Sequence, residues 1–312
     1  MIDNQAINLI NDVIDVNDRG LTYGDGIFET IAYVNGELHN WHLHWQRLCS
    51  GAERLSLSIP DEVIFLNKIN LKLLQNNDLD SDSLDSENLN SENLDSAKKV
   101  IKIIITRGKG GRGYQFPQQA QTSVIISVHH WPERSIDDYK KGIRVKVCQT
   151  CLAQQPVLAG IKHLNRLEQV LARNEFNGND YHDGIMLACS DESSQLHSRV
   201  IEATSSNLFF VKNGQLFTPK IDTCGVQGTI RQEIFQRAKK MSISIEEGHY
   251  TLSELSDASD VFFSNSIFGI VPVASITCSD NTQWFYSQQN KQRISAALSS
   301  KINKALSRPV LL

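Results

Sequence analysis

Apolar and polar residues along this chain follow two periods, the two-residue period of a strand and the longer period of a helix. Residues 100–107 and 122–131 form largely apolar runs and predict strands, whereas 41–55 predicts a helix. Asn35-Gly36 separates two strand-like segments and predicts a two-residue hairpin turn. Asn213-Gly214 predicts a second hairpin in the other half of the chain.

A lysine stands out at the start of one predicted helix. Gly160 precedes Lys162, and apolar residues follow at helical spacing: Leu164, Leu167, Val170 and Leu171. We therefore expect a helix with one apolar, packed face and a lysine held on the turn before it. A lysine with an ordinary pKa of about 10.4 is mostly protonated, but a site that disfavours its charge makes it a nucleophile that forms Schiff bases. The alternative is a solvated surface lysine.

A second glycine-containing turn leads into a predicted helix at 225–241, with Thr229 as its expected N-cap. The free N–H groups and the dipole at such a helix start favour an anion. The nucleotide P-loop signature G-x-x-x-x-G-K-[ST] is absent, so this turn is not interpreted as a nucleotide P-loop. Asn265 and Ser266, on a polar turn between two strands, could add further donors.

Glu202 interrupts an apolar and small-residue run. A buried carboxylate is costly unless it has a partner, so Glu202 is either functional or held in a salt bridge.

Length and charge limit the classes to which this protein can belong. The 312 residues predict about two domains, and the polar stretch at 132–141 fits a linker between 1–131 and 142–312. The acidic, repetitive segment 76–96 predicts a solvated insertion without a catalytic role. A net charge of −4 offers no electrostatic case for nucleic acid or an anionic membrane. No membrane-spanning run or signal peptide is evident, and a cytoplasmic protein is the simplest interpretation.

Several familiar motifs are present only in part. Cys148 and Cys151 form a C-x-x-C that ends a strand-like run and lacks a second pair, and we interpret it as coincidence. Residues 108–113 match G-x-G-x-x-G, but no helix pattern follows, which argues against a dinucleotide site. The histidines between 39 and 44 have no partner ligands at a familiar spacing, so no metal site is predicted.

Three stretches resemble the fold-type IV pyridoxal-phosphate enzymes, the family of branched-chain and D-amino-acid aminotransferases. They are D-R-G-L-T-Y-G-D-G-I-F-E-T at 18–30, R-G-K-G-G-R-G-Y at 107–114 and A-G-I-K-H-L-N-R-L-E-Q-V at 159–170. The resemblance covers nearly the whole chain except 76–96. It implies a two-domain α/β (α+β) fold of the D-amino-acid aminotransferase type, with the larger C-terminal domain carrying the lysine and the cofactor between the domains. It also implies a homodimer that acts on a small-molecule substrate.

The resemblance implies a role for each matched residue. Lys162 would form the Schiff base with pyridoxal 5'-phosphate and later carry a proton, and Thr30 would assist that transfer. Glu202 would pair with the pyridine nitrogen, and Arg107 and Tyr114 would bind substrate carboxylates. The expected phosphate contacts are Arg47, Gly228, Thr229, Ile230, Asn265 and Ser266. The motifs around Lys162 and Arg107 favour a lyase; an aminotransferase for D- or branched-chain amino acids, or a cofactor carrier without turnover, are the alternatives.

Overall fold

The computed structural model describes residues 14–81, 98–110, 113–176, 180–190, 195–287 and 293–311. The chain forms two compact units, Met1–Pro132 with Ile161–Asn165, and Glu133–Gly160 with Arg166–Leu312. The first unit contains Lys162, which the sequence analysis assigned to the C-terminal domain.

The first unit is built on an antiparallel sheet. Its strands are β1 (Gly26–Val34), β2 (Glu37–Leu38), β3 (Lys99–Thr106) and β4 (Ser123–His130), in the order β2-β1-β3-β4. Its helices are α1 (Arg19–Tyr23), α2 (Trp41–Arg54) and α3 (Glu62–Ser81). The turn between β1 and β2 is the predicted Asn35-Gly36 hairpin, with φ of 53° and 81°, as a type I′ turn requires.

The two faces of this sheet differ in composition. Because side chains alternate along a strand, every second residue of β1 and β3 points to the same side. One side carries the core, in which strand residues such as Ile27, Ile31 and Ile103 pack with Leu48 of α2 and Phe65 of α3. The other side carries Phe28, Thr30, Lys102 and Ile104, which are all partly exposed. We call these four residues the Phe28 face.

The second unit contains a larger mixed sheet. Its strands are β5 (Ile143–Val147), β6 (Asp183–Leu187), β7 (Val200–Ala203), β8 (Asn207–Lys212), β9 (Gln215–Pro219), β10 (Ile245–Gly248), β11 (Asp260–Asn265), β12 (Gly269–Thr277) and β13 (Gln283–Phe285). The order is β10-β9-β8-β11-β12-β5-β6-β7, with β13 beside β12. The helices are α4 (Ile136–Lys140), α5 (Leu167–Arg173), α6 (Thr229–Lys240), α7 (Ser253–Ser256) and α8 (Ile294–Ala305), with a 3-10 turn at Gln195–His197. The Asn213-Gly214 hairpin joins β8 to β9 as predicted.

The helix after Lys162 differs from its prediction. It begins only at Leu167, five residues beyond the lysine, and its buried residue is Ala172. Leu167, Val170 and Leu171 are 75%, 51% and 61% exposed, so the expectation that they pack inward was wrong. Helical spacing shows which residues share a face, but it does not show whether that face is covered.

Three further predictions need correction. Helix α3 continues to Ser81, so 76–81 are helical, while 82–97 lie outside the described residues. The predicted linker contains α4, whose Tyr139 is buried. Thr229 is the first residue of α6, and Gly228, not Thr229, is its N-cap.

The cysteines do not pair as C-x-x-C. Cys151 forms a disulfide with Cys189, and Cys148 is a free thiol. Burial raises the pKa of Cys148 to about 12, which makes it an unreactive side chain of the interior. Across the described ranges, no group of three or more His, Cys, Asp or Glu side chains is arranged to hold a metal ion. Nor does any helix within those ranges have the length and apolar character needed to cross a membrane.

Candidate active site

Lys162 is held by a short pairing with β1. The N–H of Phe28 donates to the carbonyl of Lys162 at 2.9 Å, and the N–H of Leu164 donates to the carbonyl of Gly26 at 3.0 Å. Strand β2 pairs only with Tyr33 and Val34, so the start of β1 is available for this segment. A Cβ on Gly26 would lie 2.3 Å from the carbonyl oxygen of Ile105, which explains the glycine. The backbone of Lys162 is therefore positioned by a sheet and not by a helix.

The side chain of Lys162 reaches the Phe28 face. Its Nζ lies 4.4 Å from the centroid of the Phe28 ring, within the range of a cation–π contact. Thr30 lies two residues further along the same face of β1, opposite Lys102 in β3. The predicted lysine and the predicted helper threonine thus share one face of the first sheet.

Arg47 belongs to a buried cluster of charges. Its Nε donates to Glu29 Oε1 at 2.8 Å and its Nη2 donates to Oε2, while His44 Nδ1 lies 2.6 Å from the same Oε2. Burial alone would raise the pKa of Glu29, but the charge and hydrogen bonds of Arg47 outweigh it and hold that pKa at about 2. Burial lowers the pKa of His44. Because an ionised carboxylate only accepts hydrogen bonds, Nδ1 of His44 is the donor. Since Glu29 and Phe28 are adjacent in β1, Arg47 is bonded to a side chain on the opposite face of the strand.

Arg107 is surrounded by partners within its own unit. Its Nε and Nη2 form a bidentate pair with Asp25 at 2.8 and 3.0 Å. Its Nη1 and Nη2 also donate to the carbonyls of Ser56 and Leu55, and the ring of Phe116 lies 3.6 Å from the guanidinium carbon. Only 3% of Arg107 is exposed. These contacts assign Arg107 a structural role, and its direct contact with substrate stays a prediction.

Tyr114, the other predicted substrate contact, is 86% exposed. Its ring makes an edge contact with Tyr23. Arg19 donates to the carbonyls of Gly113 and Tyr114, two residues that we call the Tyr114 loop. Arg19 also pairs with Asp25, the carboxylate that Arg107 binds, so Arg19 connects the Tyr114 loop to the partner of Arg107.

Glu202 is tied to the turn that precedes α6. It is 5% exposed, and its Oε2 accepts from the N–H of Val226 at 2.9 Å and lies 3.5 Å from Asn207 Nδ2. Asn207 also donates from Nδ2 to the carbonyl of Val226 and accepts at Oδ1 from the N–H of Gly228. One asparagine therefore connects the buried acid to the N-cap of the helix.

The start of α6 has the features of an anion site. Gly228 is the N-cap and has no side chain to accept a hydrogen bond from the first turn, in which Thr229 and Ile230 are buried. The N–H groups of a first turn have no partner within their own helix and carry the positive end of its dipole. A Cβ on Gly228 would lie 2.1 Å from Asn207 Oδ1, so a larger residue would disturb the link to Glu202.

Asn265 closes its own turn. Its Oδ1 accepts from the N–H groups of Ile267 and Phe268, and its Nδ2 donates to Ser206 Oγ. Its predicted phosphate contact, and that of Ser266, stay predictions.

Sequence reasoning did not identify four residues that contact the predicted residues within each unit: Phe28, Glu29 and Asp25 in the first unit and Asn207 in the second. A signal existed for two of them. Glu29 interrupts an apolar strand, and Asn207 begins one, and a polar side chain buried in a strand must find hydrogen-bond partners. For Phe28 and Asp25 the partners lie far along the chain and are visible only in the fold.

The residues fit the cofactor that the sequence resemblance implies. An aldehyde needs an amine, and Lys162 supplies one on the Phe28 face. A protonated pyridine nitrogen needs a carboxylate, and Glu202 is a buried one. A phosphate needs N–H donors, and the start of α6 presents a turn with no side-chain cap.

The chain is similar to proteins of one family. Residues 26–276 match the family described as amino-transferase class IV. The chain is 34% identical over 268 residues to aminodeoxychorismate lyase of Vibrio harveyi, covering 86% of this chain and 89% of that protein. It is 26% identical over 281 residues to D-alanine aminotransferase of Listeria monocytogenes, covering 88% and 86%. The crystal structure of 4-amino-4-deoxychorismate lyase from Pseudomonas aeruginosa is 34% identical, with a TM-score of 0.77 and coverage of 95% and 97%.

Replacing Glu29 by Gln should destabilise the protein by roughly 3 kcal/mol at pH 7, because Arg47 then remains buried without its counter-charge. The pKa of Glu29 is about 2 when folded and near 4.5 when unfolded. Its ionised form therefore stabilises the fold fully above about pH 4.5, and that stabilisation is lost as the pH falls toward 2. Urea unfolding between pH 3 and 7 measures both effects, and the variant should lack this part of the acid dependence. Glu53→Gln, an exposed position on α2, is the control; equal stability of the two variants at pH 7 would contradict the prediction.

Gly228→Ala should cost about 1–3 kcal/mol of stability through the clash with Asn207. In an Asn207→Ala background, the same change should cost less, because the clashing oxygen is gone. Urea unfolding of the cofactor-free single and double variants measures this difference. If the two costs are equal, the clash does not explain the glycine.

Proposed function

The chain belongs to the class IV aminotransferase family, and we propose that it is a lyase that converts 4-amino-4-deoxychorismate into 4-aminobenzoate and pyruvate, a step of folate biosynthesis. The family model spans residues 26–276, and the α/β, fold-type IV prediction is thereby confirmed, as is pyridoxal 5'-phosphate as cofactor. The observation that carries the chemistry is Lys162, which is bonded through its backbone to β1 and lies with its amine over Phe28.

Similarity supports a lyase over an aminotransferase. Identity to the Vibrio harveyi lyase is 34%, against 26% to the Listeria monocytogenes aminotransferase, over comparable shares of the chain. The reaction itself also differs from amino transfer. The atoms of 4-aminobenzoate and pyruvate add up to those of the substrate, so neither water nor a second substrate is needed, whereas amino transfer requires an oxo acid.

Bound pyridoxal 5'-phosphate supplies an electron sink for the carbon that bears the substrate's amine. In this proposal Lys162 would hold the cofactor through Nζ, and the same amine would remove the proton from the carbon that bears the substrate's amine. The bond between the ring and the enolpyruvyl oxygen then breaks, and Lys162, assisted by Thr30, delivers a proton to the methylene carbon of the leaving group, which becomes pyruvate. Aromatisation of the ring favours the products, so the protein mainly orients groups and moves protons.

The other residues hold the reactants in place. Glu202 would keep a proton on the pyridine nitrogen of the cofactor. The hydrogen bonds from Val226 to Glu202 and from Gly228 to Asn207 fix the orientation of the Glu202 carboxylate. The phosphate contacts that we propose are Arg47, Gly228, Thr229, Ile230, Asn265 and Ser266. We propose that Tyr114 and Arg107 bind the carboxylates of the substrate. The hydrogen bonds of Arg107 to Asp25 favour an indirect role for Arg107, in which it supports the Tyr114 loop.

We also propose that the protein is a cytoplasmic homodimer. The three exposed apolar side chains of α5, Leu167, Val170 and Leu171, support association with a second copy. Disulfides are rare in the cytosol, so this proposal carries the expectation that Cys151 and Cys189 are both reduced in the cell.

Lys162→Ala should abolish lyase activity, with a loss of at least about a thousandfold, because the variant lacks both the covalent anchor and the proton carrier. 4-Aminobenzoate and pyruvate formed from 4-amino-4-deoxychorismate are the readout. In the unaltered protein, borohydride should fix the cofactor to the peptide that contains Lys162. Lys109→Ala, an exposed lysine paired with Asp15, is the matched control. Near-normal turnover by Lys162→Ala would contradict the mechanism.

Amino transfer is the competing function, supported by the similarity to D-alanine aminotransferase. The holoenzyme is mixed with 2-oxoglutarate and either D-alanine or a branched-chain amino acid. Fast amino transfer, without any 4-aminobenzoate formed from 4-amino-4-deoxychorismate, would overturn the lyase proposal. A cofactor that binds but supports neither reaction would favour a carrier.

A further inference from the structure

We propose that Lys102 binds the ring carboxylate of the substrate and so helps to select it. This inference rests on the proposed function. It concerns a lysine on β3 to which neither the family resemblance nor the sequence analysis assigned any role.

Lys102 and Lys162 approach the same aromatic ring. Lys162 Nζ lies 4.4 Å from the centroid of Phe28, and Lys102 Nζ lies 5.7 Å from it. Since these two distances add to about 10 Å, the two amines are separated by at most about 10 Å. The sequence separation of the two lysines hides this proximity, which arises because β3 and the Lys162 segment both pair with β1.

The register of the sheet directs Lys102 to the Phe28 face. Lys102 is opposite Thr30, and Phe28 is opposite Ile104, so the four side chains emerge on one side of β1 and β3. The core of the first unit occupies the other side. Lys102 is therefore a cation directed toward the lysine that performs the chemistry.

Lys102 carries a charge that no carboxylate of the described residues balances in an ion pair, although its side chain is only partly exposed. Arg47 and Arg107, by contrast, each have a bidentate carboxylate partner, Glu29 and Asp25. Of these three cations, Lys102 is the one without a carboxylate partner among the residues that the structure describes.

The shape of the substrate matches this arrangement. The amine of 4-amino-4-deoxychorismate must meet Lys162, and its ring carboxylate lies at the opposite end of the same six-membered ring. A separation of at most about 10 Å between the two lysines leaves room for one such ring between them. A solvated lysine without a ligand is the competing interpretation, and it predicts no dependence of binding on the carboxylate.

The test compares three variants of the holoenzyme: Lys102→Met, Lys102→Arg and Lys99→Met. Methionine keeps the length and apolar stem of lysine without its charge, and arginine keeps the charge. Lys99 is the matched control because it begins the same strand and, three residues away, points to the opposite face. The absorbance of the bound cofactor shows whether each variant retains its cofactor and its fold.

The first readout is equilibrium binding and requires no turnover. Calorimetry measures the affinity of each holoenzyme for 4-aminobenzoate and for its neutral analogue 4-aminobenzamide. Lys102→Met should weaken 4-aminobenzoate binding about tenfold, as the loss of one charge-assisted hydrogen bond implies, and should leave 4-aminobenzamide unaffected. Lys102→Arg should recover most of the affinity, and Lys99→Met should match the unaltered protein.

The second readout is steady-state kinetics. We expect Lys102→Met to raise KM for 4-amino-4-deoxychorismate about tenfold with kcat changed less than about threefold, since Lys102 binds without moving a proton. Equal 4-aminobenzoate affinities for Lys102→Met and Lys99→Met would overturn the inference. So would equal weakening of the acid and the amide. An unaltered protein that forms no 4-aminobenzoate overturns the proposed function instead.

Discussion

The pairing of residues 161–165 with the start of β1 is the constraint on which the chemistry depends. Two backbone hydrogen bonds, from Phe28 to Lys162 and from Leu164 to Gly26, fix the lysine's Cα beside the strand. A flexible side chain is then limited to the region that its stem can reach, and Phe28 lies there. The position of the lysine is therefore set by the backbone of the strand beside it and not by the packing of a helix.

Buried carboxylates keep β1 and its neighbours in place. Glu29 orients Arg47 and His44 on one face of the strand, and Asp25, just before it, joins Arg19 to Arg107. Removing one member of such a cluster leaves the others buried and unsatisfied, which is more costly than never having buried them. The signature at 18–30 therefore encodes structural charge pairs as well as Thr30. Arg47 and Arg107, which the family resemblance assigns to ligand binding, are hydrogen-bonded to Glu29 and Asp25 of the protein itself.

Candidate site residues could be named from the sequence more readily than packing could be predicted. Lys162, Glu202 and the glycine turn before α6 were identified from residue type and local context, because an amine, an isolated acid and a helix start are chemical properties of short segments. The packing of α5 was not, because periodicity defines a face without saying what covers it. Thr229 was misplaced by one position at the helix start, since a glycine N-cap has no side-chain signal. Asn207 was missed because its partners are Glu202, Val226 and Gly228, which only the fold brings together.

The sequence by itself determined the family and both hairpin turns, and it named Lys162 and Glu202 as candidate site residues, because each depends on residues close together in the chain. The tertiary structure alone decided which charges are already balanced. Whether Arg47, Arg107 or Lys102 can attract a ligand depends on the distance to a carboxylate, and Glu29 and Asp25 reach the two arginines through strand register and helix packing. Coulomb attraction and hydrogen bonding act through space, so separation along the chain carries no information about them.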